Sequence, residues 1–466
     1  MIRRITLIEP KNERLHIFSK FLLPRLGSVL LATIMCDRGY DASSLFLSNR
    51  EVLARNIDTD LVGISTITAT APAAYELGDH FRMRGIPVVF GGPHVSFLPE
   101  EALAHGDFCI VGEGETAFPL LVEALRRKTP LMEVPGLIWR QRGTVRRNPP
   151  AVPIEDLDSL PFPDLSLLDI GRNRKMGLQG AALPIVPMQT SRGCPFDCTF
   201  CSVTGMFGHR YRYRSAQSIL AELARYDPKQ CMIFFYDDNF AANPRRTKEL
   251  LREMVRLRLG FEWSTQVRGD IARDPEMLDL MAQAGCDLLY VGFESANPEA
   301  LREMKKNQTV EEIRHSIQEI EKRRIRVHGM FIIGFDSDTV ATMGATVRFT
   351  LAVKIPTVQF LILTPFPGSR FYDQMVAEGR LLDKAWETFD GQHVKFIPRR
   401  VTPWELQGAQ ILAHDRFYSL WHVLVRLFRG SFIVFFLGLH ARMLNHRWQR
   451  QEHDYLRRLS NTYIDC

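Results

Sequence analysis

The chain has 466 residues, of which 45% are hydrophobic and 24% charged, and a formal net charge of +6 at pH 7. That composition belongs to an ordinary globular protein and excludes a disordered, collagenous or fibrous chain. Eight cysteines are too few for a disulfide scaffold, and 59 Lys+Arg against 53 Asp+Glu do not argue for a nucleic-acid partner.

At roughly 150 residues per domain, the length predicts about three domains. The opening MIRRITLIEP has a short apolar run and no small-residue cleavage site, and the longest apolar run, 432–439, is too short to span a bilayer. The expectation is a cytoplasmic chain, where thiols stay reduced and can bind metal.

Over residues 1–135, β-rich apolar runs at 5–8, 44–47, 61–67, 88–90 and 108–111 alternate with helical patterns at 28–38, 73–84, 99–104 and 117–127. This alternation predicts an α/β, flavodoxin-like (Rossmann-type) domain with a parallel sheet. Ligands of such sheets bind beyond the carboxyl ends of the strands. Those ends carry Ser65 and Thr66, then Gly91, Gly92, Pro93 and His94, then Gly112, Glu113, Gly114 and Glu115. Residues 136–185 read as a small hairpin turning at Gly143, followed by a Pro-rich linker.

A second alternating series occupies 186–400. Strands are predicted at 186–190, 232–236, 262–267, 288–293, 327–333 and 358–363, each followed by a helix. Six βα repeats predict a partial (β/α)6 barrel, since a complete barrel of this type needs eight. Residues 401–466 form a C-terminal helical region. Within it, 416–450 hold Arg416, Arg426, Arg429, Arg442, Arg447 and Arg450 and no acidic residue, interleaved with Trp421, Phe428, Phe432, Phe435, Phe436 and Trp448.

The decisive motif is Cys194-x3-Cys198-x2-Cys201, in the loop after the first barrel strand. Three thiolates in eight residues can wrap one metal centre. A cubic four-iron cluster needs four ligands, so three cysteines leave one iron open to a small molecule. A zinc knuckle would want a fourth protein ligand, for which His209 stands nearby, and three unrelated buried cysteines are the blandest alternative.

C-x3-C-x2-C after strand one of a six-fold βα domain, with Phe200 before the last cysteine, resembles the radical S-adenosylmethionine (SAM) superfamily; the resemblance covers about 186–380. It implies a [4Fe-4S] cluster on Cys194, Cys198 and Cys201 whose open iron chelates SAM. One electron, from a donor such as flavodoxin or ferredoxin, then cleaves SAM to a 5′-deoxyadenosyl radical. Other strand ends agree with the family pattern. Asp237 and Asp238 end strand two, where an anion would hold the SAM ammonium, or would simply cap the helix after Asn243. Arg268 ends strand three, at the position of a group contacting the SAM carboxylate. Glu294 and Ser295 end strand four, at the ribose or methionine position. Gly329 and Gly334 flank strand five, where the backbone passes the adenine, although Ser337 replaces the family's last glycine. Residues 364–369, TPFPGS, resemble a segment of one branch and could equally be a turn.

A flavodoxin-like domain before such a barrel resembles the cobalamin-binding branch, which includes hopanoid methylases and the anaerobic magnesium-protoporphyrin monomethyl ester cyclase. The resemblance implies cobalamin contacts at Ser65, Thr66, Gly91, Gly92, Pro93, Gly112 and Glu113. The Asp-x-His-x-x-Gly of many cobalamin proteins is absent, because none of His16, His80, His94 and His105 follows an Asp at that spacing. Many members of the branch bind cobalamin without it. A second three-cysteine site, as in RNA methylthiotransferases, cannot be assembled from Cys36 and Cys109.

The resulting expectation is an enzyme that functionalises an unactivated carbon, by C-methylation of a hydrophobic lipid or pigment. Cyclisation, C–C bond formation or oxidation without methyl transfer is a second reading, and a non-catalytic iron–sulfur module a third. The basic stretch 416–450 would touch an anionic membrane surface or pack on the barrel, and no nucleic acid is expected.

Overall fold

The structure is a computed structural model and describes residues 2–14, 21–179, 181–428 and 432–463. In the first domain, β1 (Arg4–Pro10), β2 (Asp41–Leu47), β3 (Leu61–Ser65), β4 (Val88–Gly91) and β5 (Phe108–Ile110) form a parallel sheet in the order β2-β1-β3-β4-β5. This is the flavodoxin-like order, and it follows from the βαβ alternation. Side chains alternate across the pleat. Leu7 joins one apolar layer with Met35 and Leu121, while Ile8 joins the opposite layer with Leu77 and Phe81. Helices therefore cover both faces, as a parallel sheet requires.

The hairpin expected within the linker belongs to this sheet. β6 (Leu137–Gln141) pairs antiparallel with β5, and β7 (Thr144–Arg147) completes the hairpin. At the other edge, β8 (Leu168–Asp169) adds to β2. Buried Ile138 and Trp139 explain the attachment: their apolar side chains extend the two layers of the sheet.

The second sheet holds β9 (Ile185–Met188), β10 (Met232–Phe235), β11 (Trp263–Arg268), β12 (Cys286–Glu294), β13 (Arg326–Ile333) and β14 (Thr357–Ile362). All are parallel and in sequential order. A partial barrel leaves an open edge at β14, and the helix Pro403–Phe417 covers it. Gln410 Nε2 donates to Phe360 O at 3.3 Å, Phe360 N donates to His414 Nε2 at 3.3 Å, and Tyr418 OH both accepts from Val358 N and donates to Val358 O. Side chains thus replace the missing neighbouring strand, which satisfies backbone groups that would otherwise be an unpaired edge.

The carboxyl ends of the two sheets face each other. Trp386 Nε1 donates to Glu101 at 2.6 Å across the boundary. The TPFPGS segment packs there too: a Cβ on Gly205 would stand 2.4 Å from Gly368 O, and one on Gly368 would strike the Phe97 ring. Two glycines let these backbones approach where any side chain would hold them apart.

Candidate active site

The three cysteines lie half-buried in the loop between β9 and the helix Val203–Phe207. Asp237, at the end of β10, holds the start of this loop. Its Oδ1 accepts from the Thr190 N–H at 2.9 Å, the Ser191 N–H at 2.5 Å and the Ser191 hydroxyl at 2.8 Å, and its Oδ2 from the Thr190 hydroxyl at 2.8 Å. Asp237 is buried and committed to these donors, so it anchors the cysteine loop and does not face a ligand as expected. Asp238 is the carboxylate that opens into the cleft. Burial of its surroundings, and next the Asp237 charge, push its pKa up to about 7.

Arg268 also differs from expectation. Its guanidinium lies 3.7 Å from the centre of the Phe196 ring, Nη1 is 3.7 Å from Cys198 Sγ, and Nη2 donates to Lys306 O at 2.8 Å. It braces the cysteine loop from β11. Glu294 sits at a bulge in β12 with φ +66 and is ion-paired with Lys306 at 2.7 Å. Ser295 is buried and accepts from Asn297 N. Gly334 donates to Asp338 Oδ2 at 3.0 Å and lies against Leu406. Phe200 is half-buried, edge-on to Phe335. Each of these residues has a partner within the fold, and Arg268 reaches the cysteine loop directly.

A cavity of about 430 Å³ lies between the carboxyl ends of the two sheets. The first sheet contributes Ser65, Gly91, Gly92, Pro93, Gly112 and Glu113, and the barrel contributes Asp238 and Gln266. Thr66 is not in the wall: it is fully buried, its hydroxyl 2.8 Å from Thr70 Oγ1. Glu113 lines the cavity, but its carboxylate is held by Arg212 at 2.7 Å and Arg192 at 3.1 Å. None of the described lining residues is a histidine. His94 is buried with Nδ1 3.3 Å from Thr68 Oγ1 and Nε2 3.0 Å from Tyr75 OH, while His105 pairs with Asp79. His16 lies outside the described residues.

Sequence reasoning missed several wall residues. Leu26, Leu30 and Leu31 come from the helix Leu26–Asp37, Met206 and Phe207 from the helix after Cys201, and Gln189 and Arg192 from the strand end before Cys194. Arg192 was within reach, as a cation next to the cysteine motif. The leucines looked like ordinary core.

Residues 188–350 match the radical SAM superfamily and residues 18–122 the B12 binding domain. An uncharacterized methyltransferase of Pyrococcus horikoshii is 32% identical over 78% of this chain and 81% of its own length. The chain belongs to the cobalamin-binding branch of the radical SAM superfamily. A bacteriochlorophyllide d C-12(1)-methyltransferase of Chlorobaculum tepidum is 27% identical over 85% of this chain and 83% of its own. The fold is shared with the solved radical SAM methyltransferase TsrM of Kitasatospora setae, with a TM-score of 0.65 and 20% identity over 81% of this chain and 75% of that one.

This radical SAM protein is therefore an enzyme whose cofactors are a [4Fe-4S] cluster, SAM and cobalamin. Its residues fit them. Among the described residues, no three His, Cys, Asp or Glu converge as a single-ion site, and His209 is exposed. Three cysteines that each bind a separate corner of a cluster have no need to converge on one point, whereas a zinc knuckle does. Burial pushes the Cys201 thiol up to about 12 and that of Cys194 upward, so metal ligation would have to displace the proton from each. On the other side of the cavity, the positions around Gly91 and Gly112 are open, with no atom within 3.8 Å of where a Cβ would stand. That leaves bare backbone for a large ring system and its tail.

Proposed function

We propose that the enzyme transfers a methyl group to an unactivated carbon of a hydrophobic substrate, a lipid or a pigment. The observation that supports this most is the shared cavity: one wall comes from the B12-type sheet and the other from the barrel strand ends and the segment after Cys201. When bound, the cluster supplies the electron that cleaves SAM, and cobalamin supplies the methyl group. In this reading Cys194, Cys198 and Cys201 hold the cluster, and Asp238 faces the SAM ammonium, where opposite charge favours binding. Gln266 lines the same wall. Asp237, Arg268 and Arg192 position the cysteine loop, Gly91 and Gly112 let the corrin approach the backbone, and Gly92 shapes the turn beside them. An external donor such as flavodoxin or ferredoxin would deliver the electron.

The C-terminal helices support peripheral contact with an anionic membrane. Part of the aromatic stripe is core: Trp448 is buried. Trp421, Phe432 and Phe436 are 72%, 63% and 65% exposed, and Arg416, Arg447 and Arg450 are exposed in a stretch without acids. Such a surface suits the headgroup boundary. Among the described residues no helix is long and apolar enough to cross a membrane. Arg429 and the side chains of Arg426 and Phe428 lie outside the described residues.

The reaction is tested anaerobically by incubating reconstituted enzyme, reductant and SAM with a deuterated methyl group with lipid and pigment extracts. A labelled methyl group on an extract component is the expected result. Altered but unlabelled products would replace methyl transfer with cyclisation or oxidation.

A further inference from the structure

A second cavity, of about 490 Å³, opens at the same interface. Phe46, Phe97, Phe366 and Phe389 make it strongly apolar. It shares Ile67, Pro93 and Ser202 with the first cavity. Ser202 directly follows Cys201, and Pro93 directly follows Gly92. The two cavities are therefore back to back, across residues adjoining both cofactor-binding loops.

Most polar groups around the second cavity have partners. Arg14 lies 3.3 Å from Glu452 and 3.8 Å from Glu387, and Asp390 Oδ2 is 3.0 Å from His393 Nδ1. Lys11 differs. Its backbone N–H donates to Leu47 O at 2.9 Å, but its side chain has no ion pair or hydrogen bond among the described residues. Of the two carboxylates nearest it, Glu51 is committed to Arg174 at 2.9 Å, and Glu13 is exposed and makes no ion pair with it. Lys11 is half-buried, and burial, with the Arg174 charge next, lowers its pKa. A partly desolvated ammonium on an apolar wall is costly until an anion meets it.

We propose that this second cavity is the substrate site, and that the substrate is an amphiphile whose apolar body fills it and whose anionic group, a carboxylate or phosphate, pairs with Lys11. The assignment rests on the methyl-transfer reading, which requires the reacting carbon to lie beside both cofactors. The aromatic walls receive the apolar body, and Lys11 fixes its orientation by fixing one end.

Holoenzyme reconstituted with cluster and cobalamin is titrated with decanoate and with decanol, which share a chain and differ in the anion. Decanoate is expected to bind about tenfold more tightly or better. Lys11→Met should remove that difference while decanol affinity stays, Lys11→Arg should keep most of it, and Ala69→Phe, filling the cavity, should weaken both. Equal binding, binding of neither, or a preference that survives in Lys11→Met overturns the proposal. Reductive SAM cleavage in the same preparations separates the two levels. No cleavage by wild type removes the enzymatic reading and this site with it, whereas cleavage without a decanoate preference removes this site alone.

Discussion

Arg192 crosses the domain boundary to Glu115, Nη2 to Oε1 at 2.5 Å. Its other terminal nitrogen is 3.1 Å from Glu113, which Arg212 also grips at 2.7 Å. All four side chains are buried. For Glu113, burial alone would raise the pKa, but the two arginines outweigh it and hold it below the usual carboxylate range. Arg192 stands two residues before Cys194, so this ion cluster ties the cysteine loop to the cobalamin-side domain. Removing one member of a buried cluster strands the others, so Arg192→Met should cost about 3 kcal/mol in denaturant unfolding. Arg192→Lys should restore part of this, and an unchanged midpoint in Arg192→Met would contradict the coupling.

The two aspartates after β10 should separate cleanly. Asp237→Ala leaves the buried Thr190 and Ser191 donors unpaired and should cost about 2 kcal/mol, with less iron retained per chain after reconstitution. Asp238 opens into the cleft, so Asp238→Asn should change stability by no more than about 0.5 kcal/mol while weakening SAM binding about tenfold. Iron analysis, thermal melts and equilibrium dialysis of SAM distinguish the pair; the reverse pattern would exchange their roles.

Two glycines of the first sheet offer a similar contrast. At Gly92, φ is +93 and a Cβ would stand 2.7 Å from Thr66 O, so Gly92→Ala should destabilise the fold itself. At Gly112, φ is +86 with nothing within 4 Å. Gly112→Ala should therefore cost only backbone strain, about 1 kcal/mol, while its methyl group projects into the open space. Cobalamin retained after desalting, read from the corrin absorbance, should fall in a Gly112→Ala protein that still melts cooperatively.

His393 gives a pH dependence. Burial alone would lower its pKa, but Asp390 and Glu452, 3.0 and 3.5 Å away, outweigh it and raise the value above 6.5. A folded-state pKa above the unfolded one stabilises the protein fully below the unfolded value, and that stability is lost as pH rises through the folded value. His393→Gln should thus lose about 2 kcal/mol relative to wild type at pH 5.5 and progressively less above pH 7. Melting curves at both ends of the range check this; a gap that widens with pH would reverse the sign.

Membrane contact should be visible by sedimentation with vesicles. Wild type should pellet with phosphatidylglycerol vesicles, less with phosphatidylcholine, and less again when Trp421 and Phe432 are both changed to Ser. Equal pelleting by that variant would assign the exposed aromatic surface to something other than lipid.

The strands of both sheets were legible because each is a short apolar run between turn signals, and the cysteine motif because its spacing is local. What the sequence did not show depends on residues far apart in the chain. Gln410, His414 and Tyr418 read as an ordinary helix face, yet they complete the β14 edge about 50 to 60 residues upstream. Asp237 and Asp238 are adjacent and chemically identical. Only the course of the chain just past β10, which turns one to Thr190 and Ser191 and the other to the cleft, separates anchor from candidate ligand. Leu26 and Leu30 carry no mark that they line a cavity, and Lys11 draws its meaning from apolar walls supplied by four other segments.

Methyl transfer is tested most directly by the nucleotide products of anaerobic turnover with a responsive extract fraction. A methyltransferase of this kind consumes two SAM per product, so S-adenosylhomocysteine and 5′-deoxyadenosine should accumulate together, and Cys198→Ala should form neither radical-derived nucleoside nor methylated product. Deoxyadenosine without S-adenosylhomocysteine, or SAM cleavage that persists in Cys198→Ala, would contradict the account.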